Sequence, residues 1–145
     1  MGTEPQFMQV NVVVSDMDAA MAFYRLLGVD LNLSTDDWPP GSGARHVHVR
    51  ESASEFDFDL DNEPMARLWG DDRLQPGDAV IGFAVSSREA VDEKYRELTA
   101  AGYQSRREPY DAFFGARYAI VEDPDGHPIS LMGPIVPQRR FIPAL

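Results

Sequence analysis

The chain repeats itself at a fixed offset, and that repeat constrains its fold more than any other feature. Val12-Val13-Val14-Ser15 through Tyr24-Arg25-Leu26-Leu27 aligns without gaps on Phe83-Ala84-Val85-Ser86 through Tyr95-Arg96-Glu97-Leu98. The offset is 71 residues, as Ser15 to Ser86, Ala19 to Ala90 and Tyr24 to Tyr95 show. Arg and Leu recur at the same spacing. These identities in register indicate duplication rather than two unrelated strand–helix units.

Each copy reads alike. A β-branched run (residues 10–14, then 80–85) is followed by a serine and by acidic residues that open a helix. Ala20, Phe23, Tyr24 and Leu27 form an i, i+3, i+4, i+7 stripe in the first helix, and Val91, Tyr95 and Leu98 do so in the second. Gly28 and Gly102 stop the helices in the manner of a C′ glycine. Three shorter strands follow each helix, at residues 31–34, 45–50 and 55–60, then 103–106, 117–121 and 128–132. The pattern predicts an α+β fold of two tandem βαβββ modules, 8–61 and 78–133, that hold a small molecule between them. Residues 62–77, with two glycines and two prolines, read as a linker. The tail 134–145 has three prolines and is expected to wrap a neighbouring surface or to be disordered.

Composition narrows the function. An apolar fraction of 43% supports a real core. The formal net charge of −11 repels phosphate backbones, which argues against nucleic-acid partners. No apolar run approaches the roughly 20 residues that cross a bilayer. The first residues show neither a basic start nor an apolar core, so no secretory signal is expected and the cytoplasm is the expected location. There is no cysteine, which removes disulfides, thiolate metal sites and cysteine nucleophiles.

Strand alternation then sorts the faces. Val10, Val12, Val14, Val47, Val49, Phe56, Phe58 and Leu60 belong against the helix. The opposite face of the first module carries Gln9, Asn11, His46, His48, Arg50, Asp57 and Asp59. Such a face is usually just solvated. Two histidines set opposite two aspartates also suit a salt bridge, a ligand anchor, an acid–base couple or a metal site. The corresponding wall of the second module is smoother and more apolar, with Val80, Gly82, Ala84, Ser130 and Met132. One polar and one apolar wall suit an amphipathic small molecule.

The run Val-Ser-Asp-Met-Asp-Ala-Ala-Met-Ala-Phe-Tyr-Arg-Leu-Leu-Gly at 14–28 resembles the opening of the vicinal oxygen chelate superfamily. That group holds glyoxalase I, extradiol dioxygenases, and fosfomycin and bleomycin resistance proteins. Residues 108–129, from Glu-Pro through Gly-Ala-Arg-Tyr-Ala to Glu-Asp-Pro-Asp-Gly-His-Pro-Ile, resemble its second-module signature. The resemblance implies paired βαβββ modules, with mixed sheets curled around a ligand cavity. It also implies metal ligands on the first and last strands of each module. Those places fall on Gln9, on Asp57 or Asp59, on Val80 and on Ser130. Valine cannot ligate a metal and serine is a poor ligand for a divalent ion, so the usual metal site is expected to be absent. A minority alternative uses His46 and His48 with Asp57 or Asp59 as two histidines and a carboxylate.

Without the metal, the resemblance implies the non-catalytic branch, the bleomycin-resistance type: acidic homodimers that sequester a drug or metabolite without a cofactor. Trp38, Trp69, Tyr110, Phe113 and Phe114 are available to stack on a planar ligand or to pack at an edge or a dimer contact. Arg117 is expected on the cavity side of its strand, ready to pair a carboxylate, with Glu122 and Asp123 as alternative partners. The ligand-binding set is therefore Gln9, Asn11, Trp38, His46, His48, Asp59, Phe113, Phe114, Arg117 and Ser130. The competing expectation is an enzyme, either a divalent-metal-dependent lyase, isomerase or dioxygenase with unusual ligands, or one using His46, His48, Asp57 and Asp59 for acid–base chemistry.

Overall fold

The computed structural model describes residues 4–27, 29–32, 37–48 and 57–144. The elements run β1 (Gln6–Val14), α1 (Met17–Leu27), β2 (His46–His48), β3 (Asp57–Asn62), α2 (Glu63–Trp69), β4 (Ala79–Ala84), α3 (Arg88–Ala100), β5 (Ser105–Asp111), β6 (Arg117–Glu122) and β7 (Pro128–Met132), with a 3-10 turn at Pro137–Arg139. This is an α+β fold. Residues 9–79 form one compact unit, and residues 80–144 together with the N-terminal residues up to Met8 form another. Among the described residues no helix is long and apolar enough to cross a membrane.

In the first unit β1 lies parallel to β3, with Asn11 opposite Asp59 and Val13 opposite Asp61. β2 runs antiparallel along the other edge of β3, placing His46 opposite Asp61 and His48 opposite Asp59. The helix-facing side of this sheet is apolar, as alternation predicts. Met17 and Met21 of α1 close on Leu31, Val47 and Leu60, with Val12, Val14, Tyr24 and Phe58 around them. The buried stripe of α1 is thus Met17, Ala20, Met21 and Tyr24. Phe23 and Leu27, expected in the stripe, are 61% and 67% exposed. The helix begins early enough for Met17 to start the buried face, and that turns the later residues outward.

The helix caps also shift by one residue. Asp16 Oδ1 accepts from the Ala19 amide at 3.0 Å, and Ser87 Oγ accepts from the Ala90 amide at 3.0 Å. The caps are therefore Asp16 and Ser87 rather than Ser15 and Ser86. They remain 71 residues apart, so the repeat extends to the capping oxygens. Gly28 lies outside the described residues; Gly102 takes φ +102°, the left-handed conformation of a C′ glycine.

The segment expected to be a linker contains α2. Asn62 makes that helix possible: its Oδ1 accepts from the amides of Arg45 at 2.9 Å and Met65 at 3.2 Å, while its Nδ2 donates to the Gly43 carbonyl at 2.8 Å. Pro64 in the first turn lacks only an amide that the helix would leave unpaired. Met65, Ala66 and Trp69 are buried, so Trp69 is not available as an exposed stacking surface.

The second unit repeats the register. β4 is parallel to β7 with Gly82 opposite Ser130, each 71 residues beyond Asn11 and Asp59. β7 and β6 are antiparallel, as are β6 and β5. Val91 of α3 packs on Val85, Ala119 and Leu131. β5 starts later and runs longer than the 103–106 expected from sequence. Its counterpart at 31–34 is reduced in the described residues to an isolated bridge at Leu31, beside which the Asn32 amide donates to the His48 carbonyl at 2.8 Å. The tail is ordered against the β5–β6 loop: the Val136 amide donates to the Gly115 carbonyl and the Phe141 amide to the Phe113 carbonyl.

Candidate functional site

The polar face of the first unit is organised by one buried carboxylate that sequence reading left out. Asp61 is completely buried on β3. Its Oδ1 lies 2.6 Å from His46 Nδ1, and its Oδ2 accepts from Asn11 Nδ2 at 2.9 Å. Gln9 Nε2 donates to Asn11 Oδ1 at 2.9 Å, which fixes the orientation of the Asn11 amide. Asp59 is 6% exposed, and its Oδ2 stands 3.5 Å from the same Asn11 nitrogen. Period-two alternation already puts Asp61 beside Asp57 and Asp59. The strand runs on to Asn62, two residues beyond the end expected at 60, and so takes in Asp61.

The charges follow from this packing. Burial pulls the His46 imidazole down, but its hydrogen bond to Asp61 and the charges of Asp61 and Asp59 outweigh that and hold it at about 9. At neutral pH His46 is an imidazolium bound to Asp61. Burial pushes the Asp59 carboxyl up; the His46 charge opposes this, Asp61 and Asp57 add to it, and the result is about 7. Asp59 is therefore divided between acid and carboxylate near neutrality. A buried acid at that value can give or take a proton without leaving its strand.

The rim of this network reaches solvent. His46, with its side chain 37% exposed, and His48 and Asp57 are accessible, whereas Asn11, Asp59 and Asp61 lie beneath. The His46 and His48 rings stand 6.0 Å apart. The structure thus brings Gln9, Asn11, His46, His48, Asp57 and Asp59 onto one sheet face. Arg50 lies outside the described residues.

The matching face of the second unit is different. At the places of Asn11, His46, His48, Asp59 and Asp61 it has Gly82, Tyr118, Ile120, Ser130 and Met132. Tyr118 packs edge-on to Phe114 and Tyr110, and Phe114 edge-on to Phe113. Ser130 is fully buried, and its hydroxyl has no hydrogen-bond partner among the described residues. Arg117 does not face this side. Its guanidinium lies on the α3 side with Ala119, bonded to Asp92 at 3.0 and 3.3 Å and to Asp111 at 3.4 Å, so neither Glu122 nor Asp123 is its partner. β6 alternation explains the placement: Tyr118 and Ile120 take one face, Arg117 and Ala119 the other. Trp38 sits 40% exposed in the 37–44 loop, and Tyr110 lies under the Arg107 guanidinium at 3.7 Å.

Two of the four places where the resemblance implies donors to a divalent ion offer little to one. Val80 offers no donor and is fully buried, and Ser130 offers only a neutral hydroxyl. His46 Nδ1 is committed to Asp61. Among the described residues no group of three His, Cys, Asp or Glu side chains is arranged to hold a metal ion.

The family model of the Glyoxalase/Bleomycin resistance protein/Dioxygenase superfamily matches residues 6–131. The uncharacterized protein PA2024 of Pseudomonas aeruginosa is 30% identical over 147 residues, covering 96% of this chain and 97% of that one. Among solved structures, the hypothetical protein BH1468 of Bacillus halodurans superposes with a TM-score of 0.65 at 19% identity, over 92% of this chain and 96% of the other. The Mn(II)-bound glyoxalase of Novosphingobium aromaticivorans gives 0.56 at 20% identity, over 90% of this chain and 38% of that larger one. At these identities the two superpositions show the shared fold.

Proposed function

This chain belongs to the glyoxalase/bleomycin resistance protein/dioxygenase superfamily, and we propose that within it the chain is a metal-independent binding protein for a small drug or metabolite. One observation carries the reading: the first unit holds a hydrogen-bonded Gln9–Asn11–Asp61–His46 network, while Val80 and Ser130 stand where the family's metal donors belong. A network held in place before a ligand arrives lowers the ordering cost of binding. His46 and His48 present donors at the rim, Asp57 presents acceptors there, and Asp59 lies beneath them. The ligand contacts would come from these four side chains and Asn11. The lack of a spanning helix among the described residues is compatible with a cytoplasmic pool of such a protein.

The test uses untagged full-length protein, treated with chelator and analysed for metals, then screened against small molecules by thermal shift and calorimetry. The reading expects saturable binding that survives chelation, ligand recovered unchanged, and at least a tenfold loss of affinity in His48→Ala. A stoichiometric divalent ion that resists chelation, or binding indifferent to His48, would overturn it.

A second reading rests on Asp59 specifically. A carboxyl held at about 7, directly across the strand pair from His48, has the poise of a general acid or base. On that reading a screened compound is recovered chemically altered, and Asp59→Asn abolishes the change with the fold intact.

A further inference from the structure

We propose that the second unit carries a separate site, between the start of α3, the β5–β6 loop and the C-terminal tail, that takes a small carboxylate with an apolar body. A cavity of about 280 Å³ lies there, lined by Arg88, Asp111, Ala112, Ala116, Arg139 and Phe141, with Gly115 in its wall. Its floor is apolar and fixed. Ala112 and Ala116 are buried, and the Ala112 amide donates to the Ala116 carbonyl at 2.9 Å. The tail is tied over the same loop by the Val136 and Phe141 amides and by Arg140 Nε, which donates to the Phe114 carbonyl at 3.4 Å. Gly115, at φ +94°, permits that approach: a Cβ there would stand 2.5 Å from the Val136 carbonyl oxygen. The half-exposed Phe141 ring is thereby held beside the cavity.

The charges around this cavity favour an anion. Asp111 is the acid in the lining, and it is already engaged by Arg88 and, at 3.4 Å, by Arg117. Arg139 makes no side-chain hydrogen bond or ion pair with the described residues. One guanidinium is therefore left over, in a chain whose net charge is −11. A guanidinium beside an aromatic ring and an alanine floor matches a carboxylate joined to a flat or branched apolar group. This site shares no residue with the polar network of the first unit.

Amide NMR of the full chain titrated with benzoate tests the proposal, with benzyl alcohol and benzylamine as matched probes. Benzoate should give saturable shifts at residues 112–116 and 139–141, with a Kd on the order of 1–10 mM for a ligand of this size. Arg139→Ala should weaken it at least fivefold, and Arg139→Lys should restore part of the loss. Arg139 is exposed, so an unchanged amide spectrum of each variant shows that the fold survives. Absence of saturable shifts overturns the site, as does benzoate binding that is equal in Arg139→Ala or matched by benzylamine. Because Asp59→Asn leaves this cavity untouched, benzoate binding in that variant should stay at the wild-type level; its loss would also count against the proposal.

Discussion

The two units share a backbone register and differ in what they place on it. Asn11 faces Asp59 as Gly82 faces Ser130, and His46 faces Asp61 as Tyr118 faces Met132. One face is a buried ionisable network, the other an aromatic and aliphatic surface around the buried Ser130 hydroxyl. The contrast extends to charge: residues 9–79 hold 14 of the 24 acidic side chains and only 5 of the 13 basic ones. Helix-facing positions such as Leu60 and Leu131 are apolar in both units, whereas the opposite faces differ. The βαβββ register therefore constrains hydrogen bonding and helix packing, and leaves the chemistry of the other face to the side chains alone.

The largest expected effect breaks the network of the first unit. His46→Ala leaves the buried Asp61 with Asn11 as its one side-chain hydrogen-bond partner among the described residues and should cost about 3 kcal/mol in urea unfolding. Transplanting the second unit's pair, His46→Tyr with Asp61→Met, removes both charges and should bring stability back to within about 1 kcal/mol of the parent. If the double variant is as unstable as His46→Ala, the two faces are not interchangeable in the way the shared register implies.

Next comes pH. Asp59, raised to about 7, favours the folded state in its acid form, so its contribution falls as pH rises from the ordinary carboxylate range through 7. His46, raised to about 9, contributes fully below its ordinary value of 6.5 and loses that contribution as pH climbs through 9. Both trends have the same sign. Asp59→Asn should flatten the fall between about pH 4 and 7 and stabilise the protein at pH 8 by roughly 1–3 kcal/mol. An unchanged slope in unfolding measurements across that window contradicts the assignment.

Smaller effects sharpen the comparison. Asp16→Ala and Ser87→Ala each remove one capping oxygen and should each cost about 1 kcal/mol in thermal unfolding. A large inequality between them would separate the two repeats at the level of the caps. Ser130→Ala removes a buried hydroxyl with no partner among the described residues. It should leave stability within about 0.5 kcal/mol or raise it, whereas a loss above 1 kcal/mol would reveal a partner for Ser130.

Much of this was legible in the chain. The repeat gives two modules, and alternation gives the faces of β1, β2 and β3, because period-two patterns survive wherever one side of a sheet packs on a helix. Boundaries were less legible. Asp61 lay one residue past the expected strand end, and α2 hid in a Gly- and Pro-containing stretch because its start depends on Asn62 bridging Gly43, Arg45 and Met65 across the loop. Asn62 with Pro64 two residues on is a local start signal, whereas the bonds to Gly43 and Arg45 come from residues distant in sequence. Alternation sets Arg117 on the α3 face with Ala119, and there Asp92, 25 positions earlier, takes its guanidinium.

The network of the first unit depends on His46 being an imidazolium held by the buried Asp61, and the titration of that ring is the direct measurement. Carbon-detected NMR of the His46 Cε1 resonance in the full chain should give a midpoint near 9, with His46 falling back toward 6.5 in Asp61→Asn. A midpoint at or below 6.5 in the parent protein would mean that burial outweighs Asp61, and the network described for the first unit would not exist as a charged pair.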